Sequence, residues 1–289
     1  MATYKELYER ILQTGQDDDR IRAVTLEGSG VTPGAVHDTF SDFDVTFFVK
    51  DIREFSKDHD YMKRFGDILI QQLPEDYYAH PYDYEGRANF AFLTQFKDGN
   101  RIDLTFTDVC HMEKQLEFRE PRKVLINKDH FPQLKDITTN EAFYIRKPSA
   151  FEFFGTVNEF RWVSNYATKG LCRHEFYYAR RIMEEYMMNM LLKMLNWKIG
   201  LEHDFQVTTG ANCKYLKKYL TEEEMQRFMA IFASGTYEDM WEKLFLMYDY
   251  FHELTGYVAE HLHFPEDRTE AENVRQFMED RFQSFYKVD

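Results

Sequence analysis

A chain of 289 residues can form two domains of ordinary size, and 44% hydrophobic with 17% aromatic content supplies large cores and excludes a disordered chain. The formal net charge of −14 argues against a nucleic-acid partner, which needs a basic face, and fits a cationic small substrate drawn to an acidic cleft. Cys110, Cys172 and Cys213 are too widely spaced for a disulfide framework or a Cys-x-x-Cys pair, and neither a signal peptide nor a membrane-length apolar run is visible. A cytoplasmic protein without a membrane partner is expected.

Tyr4, Leu7, Tyr8, Ile11 and Leu12 recur at helical spacing and predict an opening amphipathic helix. After the polar break at Asp17, Asp18 and Asp19, residues 21–26 read as a strand running into Gly28-Ser29-Gly30. A second strand follows, with Phe43, Val45, Phe47 and Val49 on one face and Asp42 and Asp44 together on the other. Residues 61–73 are expected to be a helix with Pro74 just beyond its end. Residues 77–96 carry short strand-like pieces. The last of them, 91–96, pairs across Asp98-Gly99-Asn100 with a strand that places Arg101, Asp103, Thr105 and Thr107 on one face.

Residues 119–148, with Pro121, Pro132 and Pro148, form a transition. Beyond it the period turns helical. Helices are expected over 151–166, over 174–197, from the capping box at Thr221-Glu222-Glu223-Glu224, and over 237–261 and 270–286. Gly200 is expected to be a helix C-cap, and the methionine-rich stripe of 174–197 to be core. The predicted class is α+β: an N-terminal mixed-sheet domain over 1–145, then an α-helical bundle domain over 146–289.

Two carboxylates side by side on a strand repel each other, and a divalent cation relieves that repulsion. Hard oxygen ligands suit Mg2+, and a Gly-Ser-Gly turn can offer backbone N–H groups to a phosphate. Asp103 is a lone acid in mid-strand, where aspartate is disfavoured. Were its strand beside that of Asp44, three carboxylates would converge as in two-metal phosphoryl-transfer sites, whose ions lie roughly 3.5–4 Å apart. The competing reading is a solvated strand end with surface aspartates.

The Gly-Ser turn, the Asp-x-Asp strand and the third strand aspartate resemble the nucleotidyltransferase fold shared with DNA polymerase β. Residues 158–175, reading Asn-Glu-Phe-Arg-Trp-Val-Ser-Asn-Tyr-Ala-Thr-Lys-Gly-Leu-Cys-Arg-His-Glu, resemble the helical-domain signature of the aminoglycoside 6-adenylyltransferases, the streptomycin-modifying enzymes. Residues 193–200, Asp204-Phe205 and 214–219 fit the same family. The resemblance implies transfer of AMP from Mg-ATP to a hydroxyl of streptomycin or a related aminocyclitol, with release of pyrophosphate. It assigns Asp42 and Asp44 to the catalytic Mg2+, and Asp103 to a second metal or to the general base. Gly28 and Ser29 would contact the phosphates of ATP, as would Lys169, Arg173 and Lys214 from the helical domain. Asp83, Glu85, Glu159 and Trp162 would bind the cationic acceptor across the interdomain cleft. A monomer or homodimer is expected.

Four departures from the family pattern stand out. Gly30 replaces an arginine, Ala211 a lysine, Cys172 a tryptophan and Arg161 an aromatic residue. The first two remove charges that would contact phosphates, and Arg161 is expected to narrow the range of acceptors. The alternatives are a divergent member that binds a nucleotide or small cation with little transfer, and one that modifies a protein hydroxyl.

Overall fold

The computed structural model describes residues 2–34, 38, 40–77 and 89–285. They form two compact units, Met1–Ala142 and Phe143–Asp289.

The first unit is built on a six-stranded sheet of order β3-β4-β5-β2-β1-β6. Its strands are β1 (Ile21–Glu27), β2 (Phe43–Val49), β3 (Ile68–Gln72), β4 (Asn89–Phe96), β5 (Arg101–Asp108) and β6 (Lys123–Asn127). Helix α1 (Tyr4–Asp17) starts on a reciprocal cap between Thr3 and Glu6 and buries Leu7, Ile11 and Gly15. A Cβ on Gly15 would stand 2.7 Å from Val24 Cγ2, so the missing side chain lets the helix lie directly on β1. β4 alternates strictly between buried and half-buried residues, as a sheet with one core face requires. Its buried set joins an aromatic core in which Phe55 stacks on Phe106 at 4.5 Å and Tyr61 meets Phe106 edge-on at 5.0 Å. Each such ring contributes roughly 1.5–3 kcal/mol by burial.

The expected helix over 61–73 is not formed. One tight helical turn, Tyr61–Arg64, is followed by the edge strand β3. Gly66 interrupts the helix, and a Cβ there would press on the Phe96 ring at 3.2 Å. The Ile-Leu-Ile run that follows pairs with β4, and Pro74 opens a short helix, Pro74–Tyr77, instead of closing one.

The second unit is helical. α2 (Ala150–Cys172) is a single helix of 23 residues, longer than expected, and begins on a reciprocal Ser149–Glu152 cap. α3 (Phe176–Arg181) passes through a π-helical stretch, Ile182–Met187, into α4 (Met188–Glu202). α5 (Glu222–Ala230) starts on the predicted Thr221–Glu224 box, and α6 (Tyr237–Leu262) and α7 (Arg268–Phe285) complete the unit. Met183, Met187, Met190, Leu191 and Met194 are buried, so the methionine stripe is core. Phe160 of α2 stacks on Phe251 of α6 at 3.7 Å. Gly200 is no C-cap. It lies inside α4, where a Cβ would fall 2.6 Å from the Phe205 ring, and the helix ends two residues later. Among the described residues no helix is long and apolar enough to cross a membrane, and Cys110, Cys172 and Cys213 are free thiols.

Candidate active site

The hairpin between β4 and β5 turns at Gly99, whose φ of 91° suits glycine. It delivers β5 parallel to β2, with Asp103 directly opposite Asp44. Asp42 stands one residue before β2. The register therefore gathers Asp42, Asp44 and Asp103, with one carboxylate oxygen of each within 4.8 Å of the others. Asp108, Cys110 and His111 form another such group at the far end of β5, but its mixed donors suit softer ions than phosphate chemistry uses.

Burial pushes the Asp44 carboxyl up to about 7, and the neighbouring charges of Asp42, Asp103 and Glu27 add to the effect. The site thus resists holding its full negative charge without a counter-cation. Arg101 supplies part of one: Nε and Nη2 donate to Asp103 at 2.9 and 2.6 Å, and Nε lies 3.8 Å from Asp42. An all-carboxylate, oxygen-only donor set at this spacing fits a hard divalent cation.

Gly28 abuts the triad. Its φ is +62°, and a Cβ would stand 1.8 Å from Asp44 Oδ2, so only glycine lets the chain turn against that carboxylate. Its carbonyl accepts from Val31 N, Thr32 N and Thr32 Oγ1, which pins the tight Gly28–Gly30 turn carrying Ser29. Gly30 is under no such constraint, since a Cβ there makes only ordinary contacts, the nearest with Tyr4 Oη at 3.5 Å.

Two further charged residues stand at the triad that the motifs alone do not single out. Arg101 shares a strand face with Asp103, which was visible, but its ion pair was not inferred. Glu27 lies opposite Asp44 in the β1–β2 register and is 7% exposed. Thr25 Oγ1 and Thr46 Oγ1 each donate to it at 2.8 Å, and Arg122 Nε donates at 3.3 Å. The only sequence signal was an acid ending an apolar strand.

The expected helical residues divide between two cavities. Glu159 lines one of about 610 Å3 with Lys193, Asn196, Trp197 and Thr209. Trp162, Lys169 and Arg173 line another of about 600 Å3. Lys214 lines neither; it is exposed, its Nζ 5.2 Å from the Tyr215 ring centroid. Asp83 and Glu85 lie outside the described residues. Arg161 turns away from the Glu159–Trp162 face. It is 4% exposed, and Nη1 donates to Glu270 of α7 at 2.6 Å, so it ties two helices together at the wall of a cavity of about 570 Å3 that Glu266 and Asp267 also line.

The family model for streptomycin adenylyltransferase matches residues 1–281. An aminoglycoside 6-adenylyltransferase of Campylobacter jejuni is 35% identical over 259 residues, covering 90% of this chain and 89% of that protein. Its counterpart in Bacillus subtilis is 32% identical over 263 residues, covering 91% and 92%. A crystal structure of an aminoglycoside 6-adenyltransferase from Bacillus subtilis aligns at 30% identity with a TM-score of 0.49, covering 98% of this chain and 100% of that one. The chain belongs to the streptomycin adenylyltransferase family and is a nucleotidyltransferase.

Proposed function

We propose that the protein transfers AMP from Mg-ATP to a hydroxyl of streptomycin or a related aminoglycoside, releasing pyrophosphate. The observation that carries this reading is the convergence of Asp42, Asp44 and Asp103 beside the Gly28 turn. Relatives named aminoglycoside 6-adenylyltransferase support the acceptor class.

In this reading Asp42 and Asp44 hold Mg2+, which supplies charge neutralisation of the triphosphate and polarisation at the α-phosphorus when bound. The Gly28–Gly30 turn offers backbone N–H groups, and Ser29 its hydroxyl, to phosphate oxygens. Asp103 either completes the metal site or takes the proton of the acceptor hydroxyl; in both roles it must first leave its pair with Arg101. Arg101 then keeps its positive charge at the site while phosphate charge develops. Lys169, Arg173 and Lys214 are assigned to the nucleotide's anionic groups and Glu159 to an acceptor cation.

The test is pyrophosphate release from ATP with an aminoglycoside panel, with a mass spectrum of each product. A product heavier by one AMP, absent in Asp42→Asn, supports the assignment. Turnover retained in Asp42→Asn would sink it. A weakly transferring, nucleotide-binding protein is the second reading. It is favoured by Gly30 and Ala211, which place no charge where the resemblance implies an arginine and a lysine.

A further inference from the structure

The two ends of β5 carry different chemistry. Asp103, near its start, serves the oxygen-only triad, and the strand closes on Asp108, five residues and about 17 Å further on. There the sequence reads Asp108-Val109-Cys110-His111, and the last three residues form a tight helical turn. One ligand atom from each of Asp108, Cys110 and His111 lies within 4.8 Å of the others, so a carboxylate, a thiol and an imidazole converge.

The turn is held from both sides. Val109 and Met112 pack into a small apolar cluster with Ala23, Phe48 and Leu134, and Met112 N donates to the Val109 carbonyl. Between these anchors Cys110 is exposed and His111 half-buried, so both are within reach of a solute. Asp108 is fixed independently, because Ile52 N donates to its Oδ1 at 2.7 Å. Such a bond directs a carboxylate and leaves it lone pairs for a cation. Among the described residues Asp108 makes no ion pair, and the side chains of Cys110 and His111 make neither a hydrogen bond nor an ion pair. His59 of the same unit, by contrast, is taken up by Asp76 at 2.7 Å.

Three donors of different kinds select the ion. Mg2+ takes hard oxygen ligands in octahedral geometry and gains nothing from a thiol. Zn2+ accepts thiolate, imidazole and carboxylate together, and three protein ligands leave its fourth position to water. We propose that Asp108, Cys110 and His111 bind one Zn2+, at a site separate from the triad in place, in donor set and in ion. Binding replaces the Cys110 thiol proton by the metal, and the proton passes to solvent. None of these ligands belongs to the triad, so the site stands apart from the adenylyl-transfer reading.

Co2+, a coloured substitute for Zn2+, is titrated into the full chain with Mg2+ in excess to keep the oxygen-only triad filled. A thiolate-to-cobalt charge-transfer band should grow to saturation at one ion per chain and be bleached by Zn2+. Cys110→Ser should remove the band. His111→Ala and Asp108→Asn should each weaken Co2+ binding by about tenfold or more. Cys172 and Cys213 belong to no such group among the described residues, so neither should give the band. In the unaltered protein Zn2+ should slow alkylation of Cys110 by about tenfold or more, read by peptide mass spectrometry, and leave the other two thiols at their own rates. That measurement needs no variant and holds even where a substitution disturbs the fold. Absence of the band, a band retained in Cys110→Ser, unchanged affinity in both the His111 and Asp108 variants, or alkylation of Cys110 unaffected by Zn2+ would overturn the proposal. Asp42→Asn should keep both the band and the protection, so failure of the transferase reading would leave the site standing.

Discussion

Asp44→Asn should stabilise the metal-free protein while destroying its activity. Burial and three like-charged neighbours raise the Asp44 carboxyl from an ordinary 3.8 to about 7. The unfolded chain ionises near the ordinary value, so the folded state loses stability as pH rises from about 4 to 7, and the loss levels off above that. At roughly 1.4 kcal/mol per pH unit the full penalty at pH 8 is about 4 kcal/mol. Asparagine keeps the shape and removes the charge, but it leaves an amide to be desolvated, so a net gain of about 2–3 kcal/mol is expected. Urea unfolding in EDTA at pH 8 measures it directly. The difference between wild type and variant should shrink as pH falls and vanish near pH 4. Adding Mg2+ should stabilise the wild type and leave the variant almost unmoved, since only the wild type gains a ligand set that closes on the ion. A variant no more stable than wild type at pH 8 without metal would refute the electrostatic account of the triad.

Other outcomes follow from single contacts. Gly28→Ala should abolish turnover and cost about 1–3 kcal/mol in urea unfolding, because the new Cβ falls 1.8 Å from Asp44 Oδ2 at a φ of +62°. Gly30→Arg should lower the KM for ATP by about tenfold with an unchanged Tm, since a Cβ fits there and the added cation stands on the turn proposed to hold the phosphates. His252, packed against Phe160, Tyr248 and Phe251, is pushed down to about 3 by burial and then by the charge of Arg161. The unfolded chain protonates this residue near 6.5 while the folded one does not, so stability should fall by about 2 kcal/mol between pH 6.5 and 5. His252→Gln should flatten that slope in thermal unfolding.

The acidic face of the candidate site was legible because strand alternation at period two is a local property. Asp42 and Asp44 on one face, and Asp103 on one face of its own strand, follow from neighbours alone. What brings them together is the parallel pairing of β2 with β5 across more than fifty residues, which the sequence supports only as a condition. The same limit hid Glu27 and Arg101, whose roles depend on which strand lies alongside and which charge is left to pair. Residues 61–73 misled because an apolar run with Ile, Leu and Ile reads equally as helix or strand. The decision came from Gly66 and from the free edge of β4. Gly200 carried the residue type of a cap, but the contact that requires it is the Phe205 ring against the helix. Glu159 and Trp162 share one expected ligand because a cationic sugar calls for both a carboxylate and an aromatic ring, and both lie on α2. Their sorting into different cavities depends on α7, more than a hundred residues later.

The central claim is a metal-dependent adenylyl transfer run by three strand aspartates. Its most direct measurement is pyrophosphate release from ATP and streptomycin with and without Mg2+, in wild type and in Asp103→Asn, with the product weighed by mass spectrometry. The account predicts a product heavier by one AMP, formed only with the metal and reduced by about a hundredfold or more in the variant. Equal turnover in Asp103→Asn, or product formed in EDTA, would contradict it.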